Sequence, residues 1–133
     1  MSKHYIEMSI NGLRHAGEVE ARVSLADFLR DYAGYTGVHL GCEHGVCGAC
    51  TVMVDGAAVR SCLMLAVQAD AAEVMTVEGL AAPDGTLHPV QQALFDEHAL
   101  QCGFCTPGVV MTLAALTNDA VKPAGEQLLA ALS

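Results

Sequence analysis

Hydrophobic and polar residues alternate at the start of the chain. Ile6, Met8 and Ile10 fall on one side of this alternation, and Asn11-Gly12 follows them directly. A period of two is typical of a strand with one buried face, and Asn-Gly is a two-residue turn whose twist matches that of paired strands. The pattern therefore predicts that the chain opens with a β-hairpin.

A helix and three further strands are predicted in the rest of the first half. Ser24 and Asp27 form a capping-box-like pair in front of apolar residues at helical spacing. Two short runs on either side of the turn pair Asp55-Gly56 indicate a second hairpin. This half is thus predicted to be a small mixed sheet with one helix. The predicted ranges are 25–33 for the helix, 51–54 and 57–60 for the second hairpin, and 74–77 for a further strand.

The pattern changes after Gly79. Leu80 to Thr86 contains a proline and a glycine and is predicted to be a linker, and the residues beyond it show helical periodicity. We therefore expect an α+β fold with two domains, residues 1–79 and residues 80–133. The three helices predicted in the second domain run from Pro89 to about His98, from Pro107 to Leu116, and from Gly125 to the end.

Composition and charge argue against two kinds of partner. No window of the 133 residues reaches the ~18 uninterrupted apolar residues of a membrane span. The first 13 residues lack the apolar stretch of a signal peptide, so we expect a cytoplasmic protein. Nucleic-acid binding requires clustered Lys and Arg, whereas only 6 are scattered along this chain of net charge −9. Neither a membrane nor a nucleic acid is predicted as a partner.

The strongest chemical signal is the spacing of four cysteines. Six cysteines in a chain without a secretory signal favour metal or redox chemistry over a disulfide framework. The first four have the form C-x4-C-x2-C-x11-C, whose first three match the plant-type [2Fe-2S] spacing with a more distant fourth ligand. Each iron of such a cluster needs two thiolates. The predicted ligands are Cys42, Cys47, Cys50 and Cys62.

Glycines in the same stretch explain how a loop can wrap around a cluster. Gly41, Gly45 and Gly48 can take positive φ and let backbone N–H groups approach the sulfurs, and such hydrogen bonds are one of the protein's influences on reduction potential. His39 and His44 lie beside these glycines and could ligate a Rieske-type centre. Since four cysteines already suffice, both histidines are expected at the surface.

Two interpretations of another class remain. A zinc-stabilised module would use the C-x2-C pairs that begin at Cys47 and Cys102, but the 51 residues between them exceed the roughly 15 to 20 of the usual zinc pattern. A thiol-disulfide redox protein would use Cys102 and Cys105 at a helix N-terminus, where the dipole favours thiolates. Such a site should follow a strand, whereas residues 90–100 are predicted to be helical.

Two stretches carry a resemblance to a known family. GCEHGVCGACTV (residues 41–52), followed by Ser61-Cys62, and QCGFCTPG (residues 101–108) closely resemble the small iron-sulfur subunit of the molybdenum hydroxylases, the xanthine dehydrogenase and carbon monoxide dehydrogenase family. The resemblance covers essentially the whole chain. It implies a β-grasp, plant-type ferredoxin-like domain followed by an α-helical bundle domain, each with one [2Fe-2S] cluster.

The resemblance also implies roles and partners. The first four cysteines would ligate the outer, flavin-side cluster, Cys102 and Cys105 would ligate the molybdenum-side cluster, and Gln101 would contact the pterin. The partners would be a large molybdopterin-binding subunit and a medium subunit with FAD, or another electron acceptor. The chain would be the non-catalytic electron-transfer subunit of this oxidoreductase, relaying electrons from molybdenum and inactive alone.

One part of the family pattern is missing. The second cluster of the family also needs a C-x-C pair after the C-G-x-C motif, and the 133 residues contain no further cysteine. The sequence therefore supplies half of a second site. Either the native polypeptide continues past Ser133 or the protein binds one cluster only. Glu126 to Ser133 (EQLLAALS) resembles the helix that leads into the missing pair, so we expect the polypeptide to continue with that pair.

Overall fold

A computed structural model of the chain describes residues 2–117 and 125–132. Its centre is a mixed sheet of five strands: β1 Lys3–Ile10, β2 Leu13–Glu20, β3 Thr51–Val54, β4 Ala57–Arg60 and β5 Glu73–Met75. The strand order is β2-β1-β5-β3-β4. β1 and β5 are parallel, and the other neighbouring strands are antiparallel. The α+β class predicted from the sequence is confirmed.

Both predicted hairpins are confirmed. The two turn residues take positive φ in each, 53° and 82° at Asn11 and Gly12, and 49° and 85° at Asp55 and Gly56. Positive φ at both central positions is the geometry that matches the twist of the flanking strands, and Asn, Asp and Gly tolerate it best. The second hairpin lies between the four cysteines of the first group, because β3 follows the first three and β4 precedes the fourth.

The predicted helix over residues 25–33 is confirmed, with a change of pitch. Ser24 Oγ accepts a hydrogen bond from the Asp27 amide at 3.0 Å and caps the helix. The helix begins as α1, Leu25–Asp27, and continues as a π-helical turn, Phe28–Tyr32. Its apolar face joins the inner face of the sheet in the main core. That core includes Ile6, Met8, Ile10, Leu25, Phe28, Leu29, Val52 and Val74.

The predicted strand over residues 74–77 is wrong at its C-terminal end. β5 ends at Met75, and Val77–Gly79 form a 3-10 turn. The Asn11 side chain accounts for this end, since its Oδ1 accepts a hydrogen bond from the Thr76 amide and its Nδ2 donates one to the Thr76 hydroxyl, both at 2.9 Å. The first of these bonds occupies the Thr76 amide, which a longer strand would use in the sheet.

Three helices lie in the second half, as predicted: α2 Pro89–Asp96, α3 Thr106–Thr117 and α4 Gly125–Leu132. Helix α3 packs across β3, where Met53, Met111 and Ala114 form a second, smaller core. This contact holds the helical half against the sheet beside the cysteines. Within the described ranges, no helix combines the length and apolar character needed to span a bilayer.

Candidate metal centre

The first cysteine loop, residues 41–50, precedes β3 and has no regular secondary structure. Three of its residues take left-handed backbone conformations, with φ of 55° at Glu43, 83° at Gly45 and 76° at Gly48. Successive residues of opposite backbone hand turn neighbouring N–H groups towards one side of a loop, which forms an anion-binding concavity. The loop is therefore shaped to surround a negatively charged group.

Three amides of this loop point at one sulfur. The backbone N–H groups of His44, Val46 and Cys47 donate to Cys42 Sγ, with nitrogen to sulfur distances of 3.4, 3.2 and 3.3 Å. These hydrogen bonds, led by those from Cys47 and His44, lower the pKa of the Cys42 thiol to about 6. The thiolate is the form that ligates metal. The loop thus favours the thiolate form that Cys42 would need as a ligand.

The four cysteines of the first group lie in two pairs. The Cys42 amide donates to Cys47 Sγ at 3.5 Å, and the Cys62 amide donates to Cys50 Sγ at 3.5 Å. Burial, together with the neighbouring Cys50 thiol, raises the pKa of Cys62 to about 11. Two adjacent pairs fit the two irons of a [2Fe-2S] cluster, at two thiolates each. No three His, Cys, Asp or Glu side chains of the described residues surround one point as a single metal ion requires.

The pairs differ in exposure. Cys50 is buried, with 2% of its surface exposed, and Cys62 is half-buried, whereas Cys47 is exposed. Cys50 lies at the edge of the main core, and Ser61 Oγ donates to its carbonyl oxygen at 2.7 Å. One side of a bound cluster would therefore face the core, and the other would lie near solvent and open to an electron-transfer partner.

The three loop glycines serve different purposes. Gly45 and Gly48 take the positive φ that was predicted, but Gly41 does not, so that part of the prediction is wrong. A Cβ on Gly41 would lie 3.0 Å from Cys47 Sγ, so Gly41 is needed for space. A Cβ on Gly45 would overlap the side chain of Leu63. Each of the three positions excludes a larger residue for at least one of these reasons.

Helix α3 touches the first cysteine loop at Gly108. A Cβ at this position would overlap the carbonyl oxygen of Gly48. Gly108 was not among the residues predicted to matter for the site, although the sequence contains one signal for it. A glycine inside a helix costs about 1 kcal/mol relative to alanine, so its presence near the start of α3 indicates a close approach of another backbone.

The second cysteine loop, residues 101–105, lies between α2 and α3. Cys102 and Cys105 are free thiols exposed to solvent, and Gln101 is exposed as well. Gly103, between the two cysteines, takes a φ of 80°. The preceding element is helix α2, as expected, and not the strand that a thioredoxin-like site would follow. The structure does not bring these two thiols into the first group.

The two histidines of the first half have different surroundings. His44 is exposed, as expected, and its Nδ1 donates to the Cys42 carbonyl oxygen at 2.7 Å. His39 is only half exposed, because its ring stacks on that of Phe104 in the second cysteine loop. This contact with the second cysteine loop was not predicted from the sequence, since His39 and Phe104 are 65 residues apart.

Comparison with known proteins identifies the family. Residues 8–81 match the model of the 2Fe-2S iron-sulfur cluster binding domain, and residues 76–133 match that of the [2Fe-2S] binding domain. The chain is 58% identical to the caffeine dehydrogenase subunit gamma of Pseudomonas sp. (strain CBB1), over 90% of this chain and 71% of that protein. It is 46% identical to the xanthine dehydrogenase iron-sulfur-binding subunit of Escherichia coli O157:H7, over 89% of this chain and 74% of that protein.

A solved structure supports the same family assignment. Quinoline 2-oxidoreductase from Pseudomonas putida 86 superposes with a TM-score of 0.79 and 39% identity, covering 98% of this chain and 90% of that one. The chain belongs to the small iron-sulfur subunits of the molybdenum hydroxylases. As such a subunit it is a [2Fe-2S] protein with an electron-transfer role in a molybdopterin-dependent oxidoreductase. The zinc and thiol-disulfide interpretations of the sequence are not favoured.

The paired thiols of this iron-sulfur subunit agree with the family's chemistry. A [2Fe-2S] cluster supplies a site that gains or loses one electron, and the protein controls it through ligands, hydrogen bonds to sulfur and exposure. The chain has three backbone amides directed at Cys42 Sγ and a buried Cys50 side chain, two features that would control a cluster held there.

Proposed function

We propose that the subunit carries single electrons through one cluster held by the four cysteines of its first group. The observation that carries this proposal is the arrangement of thiols in two pairs, with three amides on one sulfur. In this role the first cysteine loop orients the ligands and stabilises negative charge on sulfur. Burial keeps water from Cys50, while Cys62 is half-buried. The proposed ligands are Cys42, Cys47, Cys50 and Cys62.

A second [2Fe-2S] site is proposed at Cys102 and Cys105, with its other two ligands from outside the 133 residues. Both thiols are exposed and lie just before α3, whose N-terminus favours negative charge nearby. Gln101, next to Cys102 and also exposed, is the proposed contact to the pterin. These three assignments follow the family pattern of the QCGFCTPG stretch.

Two partner subunits are proposed at the two cysteine loops. A large molybdopterin-binding subunit would cover the second loop, where Leu100 and Phe104 are each 47% exposed. A medium subunit with FAD, or another acceptor, would approach the first loop, where Val46 and Leu63 are 68% and 63% exposed. Exposed apolar side chains around a redox site are typical of a surface that a partner protein covers.

The domain division is also part of the proposal. Residues 1–79 would form the β-grasp ferredoxin-like domain and residues 80–133 the helical bundle domain. The five-stranded sheet and the three helices that follow it support this division. Helix α3 would connect the two, since it packs on β3 and meets the first cysteine loop at Gly108.

The proposed function makes the chain a relay that is inactive alone. We expect the purified protein to be red-brown and to be bleached by dithionite, because a [2Fe-2S] cluster absorbs visible light and accepts an electron. It should reduce no dye when a substrate of its relatives, such as xanthine, caffeine or quinoline, is added. A colourless protein after reconstitution with iron and sulfide, or substrate-dependent dye reduction by the chain alone, would contradict the proposal.

A further inference from the structure

Arg60 ends β4 beside the first cysteine loop and has no part in the ligand set. Its Nη1 donates to Thr51 Oγ1 at 2.9 Å, and this hydroxyl donates to the Gly48 carbonyl oxygen at 2.7 Å. Its Nε donates a longer bond, 3.4 Å, to the Gly45 carbonyl oxygen. Gly45 and Gly48 flank Cys47 in the loop. The guanidinium group is therefore fixed against the part of the loop that carries this ligand.

The guanidinium group packs closely on the loop backbone. A Cβ on Gly48 would lie 3.2 Å from Arg60 Cζ, 3.3 Å from Nη1 and 3.4 Å from Nη2, so the charged plane covers this glycine. Arg60 and Cys47 line the same narrow cleft of about 20 Å³ between the loop and α3. That volume holds about one water molecule. Little solvent therefore separates the positive charge from the ligand loop.

No carboxylate neutralises this charge among the described residues. The ion pairs found there are Arg14 with Glu7, on the hairpin at the other edge of the sheet, and Arg22 with Glu20, at the end of β2 and just beyond it. Arg60 bonds only to a hydroxyl and a carbonyl oxygen. Arginine also stays protonated at any pH that the protein tolerates. Arg60 is thus a permanent positive charge beside the proposed cluster.

We infer that Arg60 raises the reduction potential of the first cluster, an inference that rests on the ligand set proposed above. Two ferric ions, two sulfides and four thiolates carry a net charge of 2−, and the added electron makes it 3−. No proton is needed and no bond is broken. A nearby positive charge stabilises the reduced state more than the oxidised state, because the interaction energy grows with the charge of the cluster.

The test is a redox titration of the full chain, reduced with dithionite and followed by electron paramagnetic resonance of the reduced cluster. Arg60→Gln should lower the equilibrium constant for reduction about tenfold, which corresponds to about 59 mV for one electron. Arg60→Lys should lie between this variant and the wild type, because it keeps the charge but loses the fork that holds it. Arg14→Gln is the matched control, since it removes the same charge far from the loop, and its potential should equal that of the wild type.

The outcomes separate this inference from the proposed function. Absence of a [2Fe-2S] signal in the wild type would contradict the proposed function itself. If Arg60→Gln keeps the cluster and the wild-type potential, or shifts no more than Arg14→Gln, the inference about Arg60 is overturned. Should Arg60→Gln lose the cluster, Arg60→Met provides the same measurement with a side chain that packs like the arginine stem. Loss of the cluster in both variants would assign Arg60 to loop folding and overturn the inference as well.

Discussion

His39 Nδ1 donates a hydrogen bond to the carbonyl oxygen of Phe104 across 2.6 Å, and the two rings stack with centroids 4.8 Å apart. The carbonyl belongs to the peptide bond that leads into Cys105. On the other side, a Cβ on Gly41 would lie 3.6 Å from Phe104 Cε1 and 3.0 Å from Cys47 Sγ. The second cysteine loop thus rests directly on the first, which brings the two proposed cluster sites together.

The first prediction is that His39→Ala loosens the second cysteine loop without removing the first cluster. The substitution removes one hydrogen bond and one ring contact. Such a hydrogen bond typically contributes about 1 kcal/mol to the free energy of unfolding. Cys102 and Cys105 should react faster with iodoacetamide, while the visible spectrum stays unchanged. His4→Ala, an exposed position on β1, is the control and should leave both unchanged. Equal alkylation rates in His39→Ala and the wild type would show that the contact does not hold the loop.

The second prediction concerns the ligands of the first cluster. Cys47→Ser should remove the cluster or strongly change its spectrum, because one iron loses a thiolate that no spare cysteine of the first group can replace. Cys102→Ser removes a thiol of the second loop and serves as the control, with iron content and spectrum close to the wild type. Wild-type iron content in Cys47→Ser, measured by elemental analysis, would refute the ligand assignment.

Local sequence signals predicted most of the fold. Both hairpin turns and the cap at Ser24 depend on neighbouring residues only, and such elements can be recognised from a short window. The strand at residues 74–77 was predicted too long. It ends early because Asn11, in a turn distant in sequence, accepts a hydrogen bond from the Thr76 amide. Propensity carries no information about a hydrogen-bond partner that lies 65 residues away.

The same distinction holds for the site. The spacing of the proposed ligands is visible in the sequence, since a cluster loop needs its first three cysteines close together in sequence. Arg60 and Gly108 could not be recognised from the sequence, because they pack against the loop only in the folded structure. Gly41 was expected to need a left-handed backbone, whereas it needs room beside Cys47. Sequence identifies a glycine, but only the structure shows which of its two properties is used.

A third prediction tests the contact between α3 and the first cysteine loop. Gly108→Ala should destabilise the protein by about 1 to 3 kcal/mol through overpacking, although alanine is the better helix former. The new methyl group would overlap the Gly48 carbonyl oxygen and push the helix from the loop. Gly17→Ala, where a Cβ meets nothing within 4 Å, is the control and should change stability little. Denaturant unfolding measures both, and equal midpoints for the two variants would disprove the close contact.

A fourth prediction concerns the thiols of the cluster-free chain. Hydrogen bonds from the loop lower the pKa of Cys42 from 9.0 to about 6, and burial raises that of Cys62 to about 11. The Cys42 thiolate contributes its full stabilisation of the fold above pH 9.0, the pKa of this thiol in the unfolded chain. This stabilisation is lost as the pH falls through about 6, the pKa in the folded chain. Alkylation followed by mass spectrometry should therefore give a midpoint near pH 6 for Cys42, with Cys62 unreactive at pH 8. A shared midpoint near 9 would show that the loop amides do not reach Cys42 Sγ in solution.

The last prediction concerns the iron content of the 133-residue chain. Cys102 and Cys105 supply two thiolates, enough for one iron of a pair, and the sequence contains no cysteine beyond them and the first four. The structure keeps these two exposed thiols outside the first group. The chain should therefore bind two irons and two sulfides, with Cys102 and Cys105 left free, oxidised to each other or occupied by another metal.

Adding a C-x-C pair should complete the second site. A version extended beyond Ser133 by a segment that carries a C-x-C pair should bind four irons. The same extension with both cysteines replaced by serine is the control and should bind two. Four irons in the 133-residue chain would mean that the ligands are misassigned. Two irons in both extended forms would mean that Cys102 and Cys105 do not belong to a cluster, because the missing ligands would then be present and still unused.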